Sequence, residues 1–462
     1  MEERKRTVII GGGIAGLTAA YYLQKENLNM DITLVEATHR LGGKIDTLRK
    51  DGFTIERGPD SFLERKKDAK QLVEDLGLEE ELVRNATGQA FILSQDRLHP
   101  IPKGSVMGIP IEIKPFVQSG LLTWSGKLAA LKSLTKPNEQ LNEDQSVGHF
   151  FRKRLGNQVV DRLIHPLISG IYAGDIDQLS LKATFPHYLD VEKQYGRLIK
   201  GLRQTSKTSK TEKKQGQFLT LKSGLRTLID RLEEALSSQQ VLLDSQVTHI
   251  EKNNNGYAVH IEHLDEPIEA DYLVMATPHD ATKKIFSQYD FMHFTHAKRT
   301  SVANVAIAFE KDAIDNLPNG TGFVVSRKES YRITACTWVH KKWPHTTPEG
   351  HVLLRAFVGK PGDEDILDQK DEEIAELVLN DLRTIMEINK PPLYKVVTRW
   401  YDAMPQYTVG HMDRLQELGH NLAKHLPNVW LTGNSYRGVG LPDCMKDAKS
   451  VVQQIAEKEK GQ

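Results

Sequence analysis

The stretch that most constrains this chain is its opening, where Thr7-Val8-Ile9-Ile10 runs directly into Gly11-Gly12-Gly13-Ile14-Ala15-Gly16. Four β-branched residues predict a buried strand, and the glycines fit G-x-G-x-x-G. Leu17, Ala20, Tyr21 and Leu23 then share one helical face. A second strand, Asp31-Ile32-Thr33-Leu34-Val35, ends at Glu36. Each part has a physical task. Gly11 allows the tight turn, Gly13 removes a Cβ so that the backbone can approach a pyrophosphate, and Gly16 lets the helix sit close to the sheet. The helix start offers free N–H groups and a partial positive charge to the phosphates. Glu36 can accept hydrogen bonds from ribose hydroxyls. A glycine turn alone is common. The ordered set of strand, glycines, helix, strand and acid predicts a dinucleotide site rather than a bare βαβ unit.

The next segment narrows the ligand. Arg40-Leu41-Gly42-Gly43-Lys44-Ile45-Asp46-Thr47 reads R-x-G-G-K-x-x-T. It resembles the glycine doublet that follows the second strand in one group of FAD enzymes, which includes amine oxidases, carotenoid desaturases and porphyrinogen oxidases. Beside Glu36 it favours FAD over NAD.

Bulk properties exclude several classes. With 462 residues the chain is long enough for two large domains or three smaller ones. Lys+Arg and Asp+Glu both number 61, so nothing in the charge favours nucleic acid. Cys336 and Cys444 have no metal-ligand spacing and suit a reducing cytosol. Met1 to Arg6 lead straight into the first strand, which leaves no room for a signal peptide. No run approaches the roughly twenty apolar residues that span a bilayer. The expectation is a cytoplasmic protein, at most peripheral at the inner face of the cell membrane. His293 and His296 are three apart but lack a carboxylate cluster, so no metal site is expected.

Further along, Asp51-Gly52 is a turn before a short strand that reaches Gly58-Pro59-Asp60-Ser61. With a flavin present, those four residues would lie along its isoalloxazine ring. Arg65, Lys66 and Lys67 then make either a solvated helix start or a patch that meets an anionic substrate. Residues 68–83 read as an amphipathic helix ending near Gly77, and residues 91–100 as a hairpin. Leu121, Leu122, Trp124, Leu128 and Leu131 have helical spacing, with Lys127 and Lys132 beside them. Such a segment is an ordinary domain helix or one that lies on a membrane surface. Residues 145–155 and 158–168 read as two helices, Ser169 to Asp175 as a packed functional loop, and residues 203–217 as an exposed polar loop. Asn253-Asn254-Asn255-Gly256 marks a hairpin turn, and Tyr272 to Met275 a buried strand. Strands are expected at 302–309, 322–326, 333–338, 352–358 and 394–400, with a helix at 371–386. Gly433-Asn434 ends a last strand. Gly438 to Asp443 start a final helix, whose dipole can stabilise negative charge at the flavin.

Five stretches together resemble the porphyrinogen oxidases, FAD enzymes of haem synthesis. They are Glu56 to Phe62, Ser169 to Asp175, Lys341-Lys342-Trp343-Pro344, Met404-Pro405-Gln406-Tyr407, and Tyr436 to Gly440. The similarity is greatest to the soluble Gram-positive type, which takes coproporphyrinogen III to coproporphyrin III. It implies an α/β fold with a Rossmann-like FAD-binding domain, a mixed α/β substrate domain and a mainly helical domain. The implied FAD domain is discontinuous, over residues 1–90, 218–289 and 400–462. Residues 91–105 and 290–399 would bind substrate, and residues 106–217 would face the membrane. Non-covalent FAD would be held by Gly11, Gly12, Gly13, Ile14, Ala15, Gly16, Glu36, Ala37, Lys44, Gly58, Pro59, Asp60, Ser61, Val247, Trp400, Val439, Gly440 and Leu441.

The same resemblance implies a six-electron oxidation in three rounds, with dioxygen as acceptor and hydrogen peroxide released. Gained conjugation drives much of it, so no catalytic side chain is assigned. The substrate is a flat apolar disc edged with carboxylates. Its pocket should pair apolar walls with cations. Met107, Gly170, Ile171 and Tyr172 are the expected walls, and Arg65, Lys66, Lys67 and Lys103 the expected cations. Four propionates on coproporphyrinogen against two on protoporphyrinogen favour the former. Protoporphyrinogen IX oxidation stays open as the alternative. A flavin amine oxidase and a flavin-fold binding protein without turnover are more distant ones. By family analogy a ferrochelatase would be a transient partner.

Overall fold

The computed structural model describes residues 4–133, 143–208, 216–290 and 298–461. His293, His296 and the polar residues 209–215 lie outside them. The β-branched run forms the strand Lys5–Ile10, buried over its last four residues. It is the centre of a parallel five-stranded sheet. The order is Gln240–Leu242, Met30–Val35, Lys5–Ile10, Tyr272–Met275, Val429–Leu431. Strand periodicity sends Ile9 to one face and Val8 and Ile10 to the other. On the Ile9 side, helix Ile14–Lys25 packs against the final helix, Leu441–Lys460. Cys444, Ala448, Val451 and Ile455 form the buried stripe of that final helix. On the other side lies the antiparallel sheet Val247–Asn253, Gly256–Ile261, Ile268–Ala270.

A second sheet has seven strands, in the order Tyr394–Pro405, Arg299–Glu310, His351–Val358, Ile333–Trp338, Gly322–Val325, Phe91–Ser94, Arg97–Pro100. Only Gly322–Val325 and Phe91–Ser94 pair in parallel. Helix Asp371–Ile385 covers it with Ile374, Val378 and Leu382. The strand expected to end at Trp400 continues to Pro405. That extension carries it from the sheet's core to the edge of the functional site.

A third, helical core gathers Phe150, Phe151, Leu163, Ile168 and Tyr188. Ser146 caps the helix Val147–Leu155 by accepting from His149 N–H. The next helix differs from expectation. It runs from Asn157 to Tyr172 through a π-helical turn at Val160–Ile164. The ring of Pro166 would clash with the carbonyl of residue 162 in a regular helix, and the widened turn relieves this. Ser169 to Tyr172, expected in a loop, therefore end a helix, and the chain turns at Ala173 with φ 46°. Likewise helix Leu198–Thr208 takes up the start of the expected polar loop, where Arg203 donates to the Ile111 carbonyl.

Candidate active site

The fingerprint glycines divide into two kinds. A Cβ on Gly16 would stand 1.9 Å from the Gly11 carbonyl oxygen, and one on Gly11 would stand 2.8 Å from the Ala276 oxygen. Those two are glycine because the helix and sheet leave no room. A Cβ on Gly13 would meet nothing within 4 Å. Protein packing does not explain that glycine, but a ligand lying against it does. Gly13 begins helix Ile14–Lys25 without a side-chain cap and with no acid in the first turn. The helix N-terminus is thus left to an anion. The doublet lies against it: Gly42 N–H donates to the Gly12 carbonyl at 2.8 Å, and a Cβ on Gly43 would touch the Gly13 Cα. Ile14 and Ala15 are the buried first turn.

Glu36 stands at the rim. Its carboxylate accepts from Gly12 N–H at 2.6 Å and from Thr38 N–H at 2.9 Å. Thr38 Oγ1–H also donates to Oε1 at 2.8 Å, and a carboxylate has about four lone-pair sites, so Oε2 retains one for a ribose hydroxyl. Ala37 beside it is exposed. Ser245 N–H donates to the Glu36 carbonyl at 2.9 Å, which brings Val247 to the same end. These residues fit FAD, whose pyrophosphate would lie at Gly13 and whose adenosine would lie at Glu36.

At the other end, a Cβ on Gly58 would stand 1.8 Å from the Lys44 carbonyl oxygen and 3.6 Å from the Trp400 ring. Trp400 Nε1–H donates to the Arg57 carbonyl at 2.8 Å. Lys44 is half-buried, and burial pulls its ammonium down to about 8. Gly440 begins the final helix without a side-chain cap, between Val439 and Leu441. The thiol of Cys444 donates to the Gly438 carbonyl at 3.3 Å, and burial pushes it up to about 12. It is not presented as a thiolate for covalent attachment. Glu56 accepts from Leu225 N–H at 2.7 Å and Thr47 Oγ1–H at 2.8 Å, yet burial raises its carboxyl to about 7.

Asp60 joins this end to the second sheet. Its Oδ2 lies 2.8 Å from Lys342 Nζ, 3.3 Å from Trp343 Nε1 and 3.5 Å from Arg355 Nη2. Ser61 Oγ–H donates to its Oδ1 at 2.7 Å. Burial alone would raise the Asp60 pKa. The charges of Lys342 and Arg355 reverse this and hold the carboxyl well below the usual range.

Beside Asp60 opens a cavity of about 1090 Å³. Of the expected substrate residues, Lys103, Met107, Gly170 and Ile171 line it. Tyr172 does not. Its ring turns into the helical core, 5.7 Å from Phe185. Arg65, Lys66 and Lys67 are also outside the lining. Arg65 and Lys67 are exposed at a helix start, and Lys66 pairs with Asp443. Besides Lys103, the cations lining the cavity are Arg327, Lys342, Arg355 and Lys360. Arg327 reaches Asp175 at 3.5 Å, and Lys360 reaches Asp363 at 3.7 Å. One of these had a signal: Arg355 interrupts the apolar run Val352-Leu353-Leu354, and a charge inside a buried strand needs a partner.

A fold that leaves space at Gly13, an acid at the ribose end and a large cavity beside the Gly58 segment defines an FAD oxidoreductase. Residues 14–456 match the flavin-containing amine oxidoreductase family, and the chain belongs to it. Within that family it is 49% identical to the coproporphyrinogen III oxidase of Bacillus subtilis, over 98% of both chains. It is 42% identical to the enzyme of that name from Staphylococcus aureus, over 98% of this chain and 99% of that one. A crystal structure of a putative protoporphyrinogen oxidase from Exiguobacterium superposes with a TM-score of 0.90 at 42% identity, covering 99% of each chain. The cofactor of this family is FAD, held here without a covalent bond.

Proposed function

We propose that this chain oxidises coproporphyrinogen III to coproporphyrin III, with dioxygen as acceptor and hydrogen peroxide as product. The observation that carries the reading is the cavity beside Asp60. At about 1090 Å³ it suits a macrocycle rather than a small amine. Ile171 and Met107 give it apolar wall, and Arg327, Lys360 and Lys103 bring positive charge to carboxylates at the disc's edge. Bound FAD supplies the two-electron acceptance and the reaction with dioxygen. The chain's own residues bind and orient. The Arg57 to Ser61 segment is fixed by Trp400, Lys342 and Arg355, so the site has a rigid floor. Aromatic conjugation drives the reaction forward, so no side chain has to act as acid or base.

The test is aerobic turnover of the purified flavoprotein with coproporphyrinogen III and protoporphyrinogen IX in parallel, following porphyrin fluorescence and peroxide together. Faster oxidation of the four-propionate substrate with three peroxides per porphyrin supports the reading. Preference for protoporphyrinogen moves the assignment to that substrate.

In this reading the protein works in the cytoplasm and touches the membrane through helix Trp124–Ser133. Trp124 and Leu128, four apart, are 70% and 65% exposed. An aromatic and a leucine on one exposed face suit a lipid headgroup boundary. Among the described residues no helix is long and apolar enough to cross a membrane. A ferrochelatase that accepts the product is the transient partner of this reading.

A further inference from the structure

Away from the cavity, the hairpin of Val247–Asn253 and Gly256–Ile261 brings two histidines face to face. His249 and His260 are paired across the strands. Their rings are 4.0 Å apart and 9° from parallel. Glu251 is two residues beyond His249, hence on the same face. Its Oε1 lies 3.6 Å from His249 Nε2, and its Oε2 lies 3.9 Å from His260 Nε2. One ligand atom from each of the three residues can be chosen within 4.8 Å of the others. Around a tetrahedral zinc ion, with bonds of about 2.1 Å, neighbouring ligand atoms stand about 3.4 Å apart. A metal ion lies in the plane of each imidazole that binds it, so one ring would have to turn out of the stack, with a few tenths of an ångström of adjustment on the carboxylate side, to bring the set to that geometry.

The local backbone also gives His249 an outer hydrogen-bond partner. A bulge between Val247 and His249 places Thr248 so that its Oγ1 lies 3.2 Å from the His260 carbonyl and 3.1 Å from His249 Nδ1. When the hydroxyl proton goes to the carbonyl, His249 Nδ1–H donates to Thr248 and Nε2 keeps its lone pair on the Glu251 side. Such an outer hydrogen bond is what fixes the tautomer of metal-binding histidines. Independently, His260 Nε2 is shut away from solvent and makes no hydrogen bond. A plain stacked pair leaves that nitrogen unsatisfied. A metal ion would give it a partner.

We propose that His249, Glu251 and His260 bind a borderline divalent cation of the zinc, nickel or cobalt kind, with water completing its coordination. Two imidazoles and one carboxylate suit these ions, whereas magnesium and calcium prefer all-oxygen sites. None of the three residues lines the cavity, so the ion ties the two strands together rather than taking part in the oxidation.

The experiment is calorimetric titration of the FAD-loaded, tag-free, chelator-treated protein with zinc chloride near neutral pH. One equivalent should bind and raise the melting temperature. His249→Asn and His260→Asn should each weaken binding at least about tenfold. The double variant should lose the melting shift while porphyrinogen turnover stays unchanged. No binding with zinc in large excess overturns the proposal. So does one-equivalent binding that neither variant weakens, because the ion would then sit on other histidines.

Discussion

Lys342 Nζ sits 2.8 Å from Asp60 Oδ2, across 282 residues of sequence. The pair ties the segment at the flavin end of the site to the second sheet. Both side chains are only about an eighth exposed, at 13% and 15%. Arg355 and the Trp343 indole share the same oxygen. Removing the acid from such a group leaves two enclosed cations without their partner. Asp60→Ala should cost about 3 kcal/mol of stability, in the range for breaking a buried ion pair. Thermal melts of the FAD-saturated protein check it, and a loss below about 1 kcal/mol would mean that water readily replaces the carboxylate.

The two kinds of fingerprint glycine should separate experimentally. Gly13→Ala adds a methyl where no protein atom stands within 4 Å, so the fold should survive while FAD binding falls sharply. Gly16→Ala places its methyl against the Gly11 carbonyl and should fail to fold. Circular dichroism and bound-flavin absorbance distinguish these outcomes. A yellow, fully loaded Gly13→Ala protein would remove the pyrophosphate from that spot.

Glu56 should leave a mark on stability against pH. Its folded pKa, about 7, is raised from an ordinary value of 4.5 by burial. The neutral form is the one the fold favours. Its contribution is complete below pH 4.5 and is lost as pH rises through about 7, by on the order of 3 kcal/mol. Glu56→Gln should flatten that slope. Denaturant midpoints across this range, with FAD in excess, make the comparison. An unaltered slope in the variant would assign the titration elsewhere.

The cations of the cavity should act through KM. Arg327→Ala and Lys360→Ala should each raise KM for the four-propionate porphyrinogen about tenfold, the worth of one charge-assisted hydrogen bond. The two-propionate substrate should suffer less. Lys67→Glu, at an exposed helix start, should change neither. Equal effects on both substrates would place Arg327 and Lys360 away from the propionates.

Trp124→Glu with Leu128→Glu should abolish sedimentation with anionic lipid vesicles and leave turnover on dispersed substrate intact. Unchanged sedimentation would locate membrane contact on another surface.

The βαβ unit that carries Gly11, Gly16 and Glu36 was legible because its reasons are local. A tight turn at Gly11, a close helix at Gly16 and an acid at Glu36 follow one another within a single βαβ unit. The cavity was legible only in part: Lys103, Met107, Gly170 and Ile171 line it as expected, but its other cations come from separate strands and loops. Arg65-Lys66-Lys67 looks like an anion site only when read as a string. In three dimensions Lys66 turns to Asp443, 377 residues away, and its neighbours face solvent. Tyr172 shows the same limit at smaller scale. Sequence places it beside Ile171, but a helix separates neighbours by about a quarter of a turn or more. Ile171 therefore faces the cavity while Tyr172 faces the helical core. The π-helical turn that sets this rotation has no periodic signature.

The parallel sheet draws its strands from positions between Lys5 and Leu431. Its pairing is therefore among the most non-local in the chain, and non-local pairing is slow and leaves strand edges open while it waits. A ligand that binds only the completed sheet draws the chain out of that vulnerable interval by mass action. Soluble yield in a producing cell should then track riboflavin supply as closely as it tracks expression level, with the vitamin acting in effect as a folding aid.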